Sequence, residues 1–342
     1  MRRVHRLVLL AVAAATLAAC TTLAASSATA PAPVGGATSS TSPSSAPTTA
    51  PADLPVRFSA PRPLAHGVAL KAVSCASPTS CLALDAEGRA YRFDGTTWSG
   101  PAPPGPQQIG QGAISVSCPS TTDCVAITTG TDQVVSFNGQ VWSAPVTLVG
   151  AHGLEAVGCA TSGYCAAVDA EGNSFEEQNG RWIRTAGDWG SVSAISCLSA
   201  TWCMSTSGGI SHWDGQRWSV PNPYGASSSF TGIACPTTAF CVAVDQRGDA
   251  LTWNGQAWSA PTRIEPGQSS PTSIGPSPTA VACPSPSRCV AVDDHGGVLE
   301  WSGGSWSRTV VDPGQPLTAL SCPTTSFCVA VDQRGDVLVA TP

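Results

Sequence analysis

The sequence predicts an all-β protein, a seven-bladed β-propeller with four-stranded antiparallel blades, and three observations carry that prediction. Beyond Cys20, fourteen cysteines fall into seven pairs of identical spacing, Cys-x5-Cys, recurring roughly every 40 residues. Every pair sits in the same setting of four short apolar runs separated by turn residues. The last copy stops after its third run, while an unmatched fourth run stands at residues 56–63, ahead of the first copy. Small β-meanders repeated around an axis make a propeller, and a fourth strand supplied from the other end of the chain closes its ring.

In chain order, residues 1–19 read as a secretory leader. Arg2, Arg3 and Arg6 precede an apolar run, Leu7 to Ala19, that is short for a membrane span of about 20 residues. The run ends Leu17-Ala18-Ala19-Cys20, which resembles the lipobox of bacterial lipoproteins. That resemblance implies a diacylated Cys20 at the head of the mature chain; the alternative is an ordinary leader cut nearby, with Cys20 incidental. Residues 20–53 contain one charge, Asp53, no aromatic residue, and mostly Ser, Thr, Ala and Pro. Such a segment buries too little apolar surface to offset its ordering entropy and reads as a proline-stiffened tether. Residues 54–342 hold the repeats.

Each repeat begins with a small-residue run before its first cysteine, such as "LKAVSC" or "LTALSC". Ala72, Ser74, Ala280 and Ala282 suit innermost strands, which crowd at the axis. A five-residue link rich in Pro, Ser and Thr leads to a second run, "CLALD" or "CVAVD". A turn follows at Asp85, Asp169, Asp245, Asp293 and Asp332, where an Asp side chain bonds its own backbone. The third run ends in Asp-Gly or Asn-Gly, and the fourth opens on Trp98, Trp142, Trp182, Trp218, Trp258 or Trp306. Phe58 holds that place in the N-terminal run. The Asn-Gly and Asp-Gly steps predict type I′ hairpins. The third repeat lacks the aromatic before its turn, and the fourth lacks the turn Asp, offering "MSTSGGI".

A five-residue link between adjacent antiparallel strands sets its flanking cysteines opposite each other. The expected disulfides join Cys75 to Cys81, Cys118 to Cys124, Cys159 to Cys165, Cys197 to Cys203, Cys235 to Cys241, Cys283 to Cys289 and Cys322 to Cys328. Zinc ligation wants closer spacing and a second pair or a nearby His, and a redox motif wants Cys-x2-Cys. Pairing between blades is the remaining alternative.

The net charge is −6, and more negative once the leader's arginines are removed; Lys71 is the single lysine. That balance excludes nucleic acid and anionic lipid headgroups as partners, since both demand clustered basic groups. No Gly-x-Ser-x-Gly, His-Glu-x-x-His or phosphate loop occurs, and no cofactor or metal site is expected. His212 beside Trp213 reads as a structural histidine. Arg247-Gly248-Asp249 and Arg334-Gly335-Asp336 match an adhesion tripeptide but overlap the repeated turn. Trp213, Trp253 and Trp301 precede the turns of consecutive blades, where they serve as a stacked sugar platform or as packing.

The hairpins "FDGTTWS", "FNGQVWS" and "WNGQAWS" resemble the Asp-box of sialidase-type propellers, with a shorter spacing to Trp, and the Trp-Asp-Gly…Trp-Ser hairpins of seven-bladed bacterial lectins. The lectin resemblance covers about ten residues per repeat and lacks the cysteines. Neither assigns a catalytic residue here. Together these features predict a monomer outside the cytoplasm, attached to the cell membrane by lipid alone. It presents a non-catalytic binding or scaffolding surface to a polysaccharide or another envelope protein. The alternative is a propeller-type glycan-active enzyme, a sialidase-like glycosidase or a lyase, with carboxylates or arginines converging in an axial pocket.

Overall fold

The computed structural model describes residues 56–341, apart from 102–111, 187–189, 223–228 and 266–274 and the single positions 129, 162, 179 and 303. The leader, Cys20 and the tether lie outside the described residues. Short connections between apolar runs force neighbours in sequence to pair, and each repeat forms its own antiparallel sheet. Blade 1 runs outward as Leu70–Ser77, Ser80–Asp85, Ala90–Phe93 and Trp98–Ser99. Blades 2, 3, 5 and 6 repeat that order, with innermost strands Ala113–Ser120, Leu154–Thr161, Phe230–Thr237 and Pro278–Ser285. In blade 4 the strands Ala194–Ser199, Trp202–Thr206 and Ile210–Trp213 are followed by two single bridges, Trp213 to Trp218 and Ile210 to Asn222, in place of a full fourth strand. No described residue is helical.

Blade 7 shows how the ring closes. Its own strands are Leu317–Thr324, Phe327–Asp332 and Asp336–Thr341. Arg57–Phe58 and Arg62–Pro63 both pair with the last of these, and Phe58 faces Ala340 as Trp98 faces Phe93. The innermost strands touch one another in blade order, and that of blade 7 meets that of blade 1.

Hydroxyl groups stitch neighbouring blades at both ends of the innermost strands. Before the first cysteine, the oxygens of Ser74, Ser117, Ser196 and Ser321 accept from the N–H of Cys118, Cys159, Cys235 and Cys75 of the next blade, at 2.9–3.1 Å. At the other end, Ser193, Thr231, Thr279 and Thr318 donate to Phe230, Pro278, Leu317 and Leu70 carbonyls at 2.6–2.7 Å. Apolar clusters fill the spaces between sheets; that between blades 7 and 1, for example, joins Val73, Ala83 and Tyr91 to Val329 and Val331.

All the expected cysteine pairs are disulfides, and each lies within its own blade rather than between blades. Cys75 is bonded to Cys81, Cys118 to Cys124, Cys159 to Cys165 and Cys197 to Cys203. Cys235 is bonded to Cys241, Cys283 to Cys289 and Cys322 to Cys328. Their Cα–Cα distances of 3.9–4.2 Å are those of residues facing each other across the first two strands.

The turn aspartates are buried caps. Asp85, Asp169, Asp245, Asp293 and Asp332 are at most 1% exposed. Each accepts at least two backbone N–H bonds, as Asp85 does from Glu87 and Arg89 and Asp332 from Arg334 and Asp336. Between the third and fourth strands the expected type I′ geometry is not what forms. Asp94, Asn138, Asp214 and Asn254 keep negative φ, and positive φ falls on Gly95, Gly139, Gly215 and Gly255. The Asp or Asn instead caps the loop, Asp94 Oδ1 accepting from the N–H groups of Thr96 and Thr97. Glycine, at the position after the cap, alone takes the positive φ that the loop requires. A Cβ on Gly95 would lie 2.8 Å from Thr79 of the disulfide loop, so the two loops of a blade pack on each other.

Candidate functional site

One slot in the repeat is filled by a ring in most blades and by a carboxylate in blade 3. Opposite the second cysteine, on the third strand, stand Phe93, Phe137, Trp213, Trp253 and Trp301. Each packs on the Trp that opens its own fourth run, with ring centroids 5.1–5.8 Å apart. In blade 3 the register places Glu177 in that slot, across from Trp182. Burial, and then the nearby carboxylate of Asp123 in blade 2, hold the Glu177 carboxyl above its ordinary range. Trp182 packs against the cluster shared by blades 2 and 3 and stays half-buried beside an open groove.

That groove has a volume of about 560 Å³. One wall is Val146, Thr147, Leu148 and Val149 of blade 2; the other comes from Phe175 and residues 180–184 of blade 3. Val149 (88% exposed), Val146 (49%) and Ile183 (45%) are three of the six large apolar side chains most exposed among the described residues, so this is where apolar surface meets solvent. A second hollow of about 450 Å³ lies on blade 2 beside Phe137, Val141 and Trp142.

The groove is bordered by an unusually long outer strand. In blades 1, 2, 4, 5 and 7 a proline follows the Trp or Phe by three residues: Pro101, Pro145, Pro221, Pro261 and Pro61. Proline cannot donate to a ladder, and the outer strands there are two-residue pieces or single bridges. Blades 3 and 6 carry Arg184-Thr185 and Arg308-Thr309 instead, and their outer strands run six residues, Arg181–Ala186 and Ser305–Val310. Arg184 donates from Nε and Nη2 to Asn173 Oδ1, and Asn173 Nδ2 donates to Asp169, which fixes the guanidinium against the groove. Arg308 turns inward to Glu265 and Asp293.

The tryptophans singled out in the sequence lie elsewhere. Trp213 is 2% exposed and its Nε1 donates to the Ala200 carbonyl; Trp253 Nε1 donates likewise to Thr238. With Trp301 they form three separate tilted pairs, each within its own blade, and none lines either hollow. His212 lies edge-on to Trp202, and burial holds its pKa below the ordinary value. The tripeptide residues are tied into the fold: Asp249 pairs with Arg263, and Arg334 with Asp312, Asp332 and Asp336. Trp182 and Arg184 are the groove residues that pattern reading passed over. The missing aromatic in "EEQNGRW" was their signal.

Two carboxylate pairs are closed between blades. Glu265 sits with Asp293 and Arg308, and its carboxyl is pushed up to about 8, first by burial and then by Asp293. Asp312 sits with Asp332 and Arg334, pushed up to about 6, first by burial and then by the neighbouring Asp332 carboxyl. All four carboxylates are at most 4% exposed, so neither pair presents an open acid to a substrate.

No family model and no curated protein matches the chain. Solved structures do, as folds. YCF48 bound to D1 peptide is similar with a TM-score of 0.67 and 12% identity, covering 83% of this chain and 97% of that one. YCF48 from Cyanidioschyzon merolae gives 0.60 and 15%, covering 83% and 98%. Streptogramin B lyase gives 0.69 and 9%, covering 84% and 98%. At such identities the likeness is one of architecture, and it joins binding proteins and an enzyme alike.

Proposed function

We propose that the protein is a non-catalytic binding module whose partner, another protein, docks at the groove between blades 2 and 3. The observation that carries this reading is the departure of blade 3 from the repeat. Glu177 replaces a ring, the edge-blunting proline is absent, and exposed Val146, Val149 and Ile183 gather beside Trp182 and Arg184. Aromatic and arginine side chains around a partly desolvated hollow suit a protein contact. A similar propeller is described as bound to a peptide, which agrees with this use of the fold. Within this proposal, residues 1–19 are a leader, Cys20 carries lipid, residues 20–53 are a tether, and residues 54–342 are held monomeric outside the cytoplasmic membrane. Seven disulfides favour such an oxidising setting. A polysaccharide reading would use Trp213, Trp253 and Trp301, of which Trp253 and Trp301 keep a half-exposed face.

The test exposes residues 54–342 and a Trp182→Ala variant to a random peptide library, a glycan array and a panel of glycosidase and lyase substrates. Peptides that bind the parent and lose affinity in the variant support the reading. Glycan binding indifferent to Trp182, or turnover of any substrate, contradicts it.

A further inference from the structure

The outermost strand of blade 3 combines two features: a six-residue edge and an adjoining groove. An edge strand keeps the N–H and C=O groups of alternate residues pointing away from its sheet, ready to pair with another strand. Five blades blunt this edge with proline, and in blade 6, whose outer strand is equally long, Trp301 and Trp306 pair and Arg308 turns inward to Glu265 and Asp293. In blade 3 the edge is unblunted. Trp182 and Arg184 both face blade 2, Trp182 through the shared apolar cluster and Arg184 through its Cδ, 3.8 Å from where a Cβ of Gly150 would lie.

Charge points to the occupant. The protein is acidic, yet the groove lining carries Arg181 and Arg184 and no carboxylate. Arg184 is neutralised only at one remove, through the neutral amide of Asn173. Apolar side chains of the lining face solvent between these charges. An extended strand whose side chains alternate between small apolar and acidic answers both features, with its apolar face on Trp182 and Val146 and its carboxylates on the opposite face, which Arg181 shares.

We propose that blade 3 captures an acidic, extended segment of a partner protein by strand addition to Arg181–Ala186, with alternate apolar side chains seated in the groove. This rests on the groove being the docking site and adds the mode and chemistry of capture.

The experiment uses residues 54–342 and blocked peptides of six residues, matched to the strand. The probes are alternating glutamate–valine, the same composition in two blocks, alternating lysine–valine, and the first peptide N-methylated on either of its two alternate sets of amides. Backbone amide shifts of residues 181–186 are followed by NMR. The expected result is binding of the alternating acidic peptide, with no shifts from the lysine or block peptides. One methylated set then binds at least about tenfold more weakly while the other binds as the parent, because only one edge of the added strand donates. Equal affinity of both methylated peptides, equal loss in both, or no binding of the parent overturns strand addition. A dimer of the protein alone in sedimentation, with the amides of residues 181–186 protected, also overturns it by making a second copy the occupant. Library peptides that bind through Trp182 without alternation would leave the docking site standing and remove only this mode.

Discussion

Replacing Glu177 by phenylalanine tests whether blade 3 has lost a ring that the repeat is built to hold. The position faces Trp182 in register, as Phe93 faces Trp98 and Phe137 faces Trp142. Existing pairs sit 5.1–5.8 Å apart in tilted geometry, worth about 0.5–1.5 kcal/mol beyond area burial. Half-burying a phenylalanine adds about 1 kcal/mol. Glu177→Phe therefore stabilises by about 2 kcal/mol, or roughly 4 °C in Tm for a domain of this size. Calorimetry at pH 7 on residues 54–342 measures it, with Glu177→Gln as control for removal of a charge held near Asp123. A phenylalanine variant no more stable than the glutamine variant would refute the idea of an empty aromatic slot.

Stability also depends on pH through the closed carboxylate pairs. Glu265 binds its proton more tightly folded, with a pKa of about 8, than unfolded near 4.5, so stability present below pH 4.5 is lost as pH rises towards 8. At about 1.4 kcal/mol per pH unit the loss is on the order of 5 kcal/mol. Urea midpoints at pH 5 and pH 8.5 should differ less in Glu265→Gln than in the parent, and parallel curves would contradict the assignment. Asp312 acts in the same direction between its ordinary 3.8 and about 6. Removing residues 54–63 takes away the strands that complete blade 7 and exposes Phe58's neighbours, at a cost of several kcal/mol, about 3–6; an unchanged melting curve would deny the closure. Changing Cys75 and Cys81 together to alanine costs about 2 kcal/mol on the chain-entropy argument, and thiol titration of the unreduced propeller should find no free thiol.

Much of the architecture was legible because it depends on spacing. Seven Cys-x5-Cys pairs register the first two strands of each blade, and the run around Phe58 announces its place beside the last strand. The hairpin type was not legible from the Asn-Gly and Asp-Gly steps. Those dipeptides permit positive φ at both residues, but the side chains of Asp94 and its counterparts cap the loop and leave positive φ to glycine alone. Nor did composition locate the groove. Tryptophan marks packing and ligand contact equally, and only the register showed that Trp213 is sealed in its own hairpin while Trp182 faces a carboxylate. The irregular third repeat held the clue, but a missing aromatic before the turn does not by itself show that Glu177 faces Trp182.

Hydrogen exchange on residues 54–342, with and without a peptide selected from the library, locates the bound surface directly. The account predicts added protection at residues 146–149 and 181–186 and little change around the hairpins of blades 4 to 6. Protection centred on Trp213, Trp253 and Trp301, or on the axial ends of the innermost strands, would contradict it.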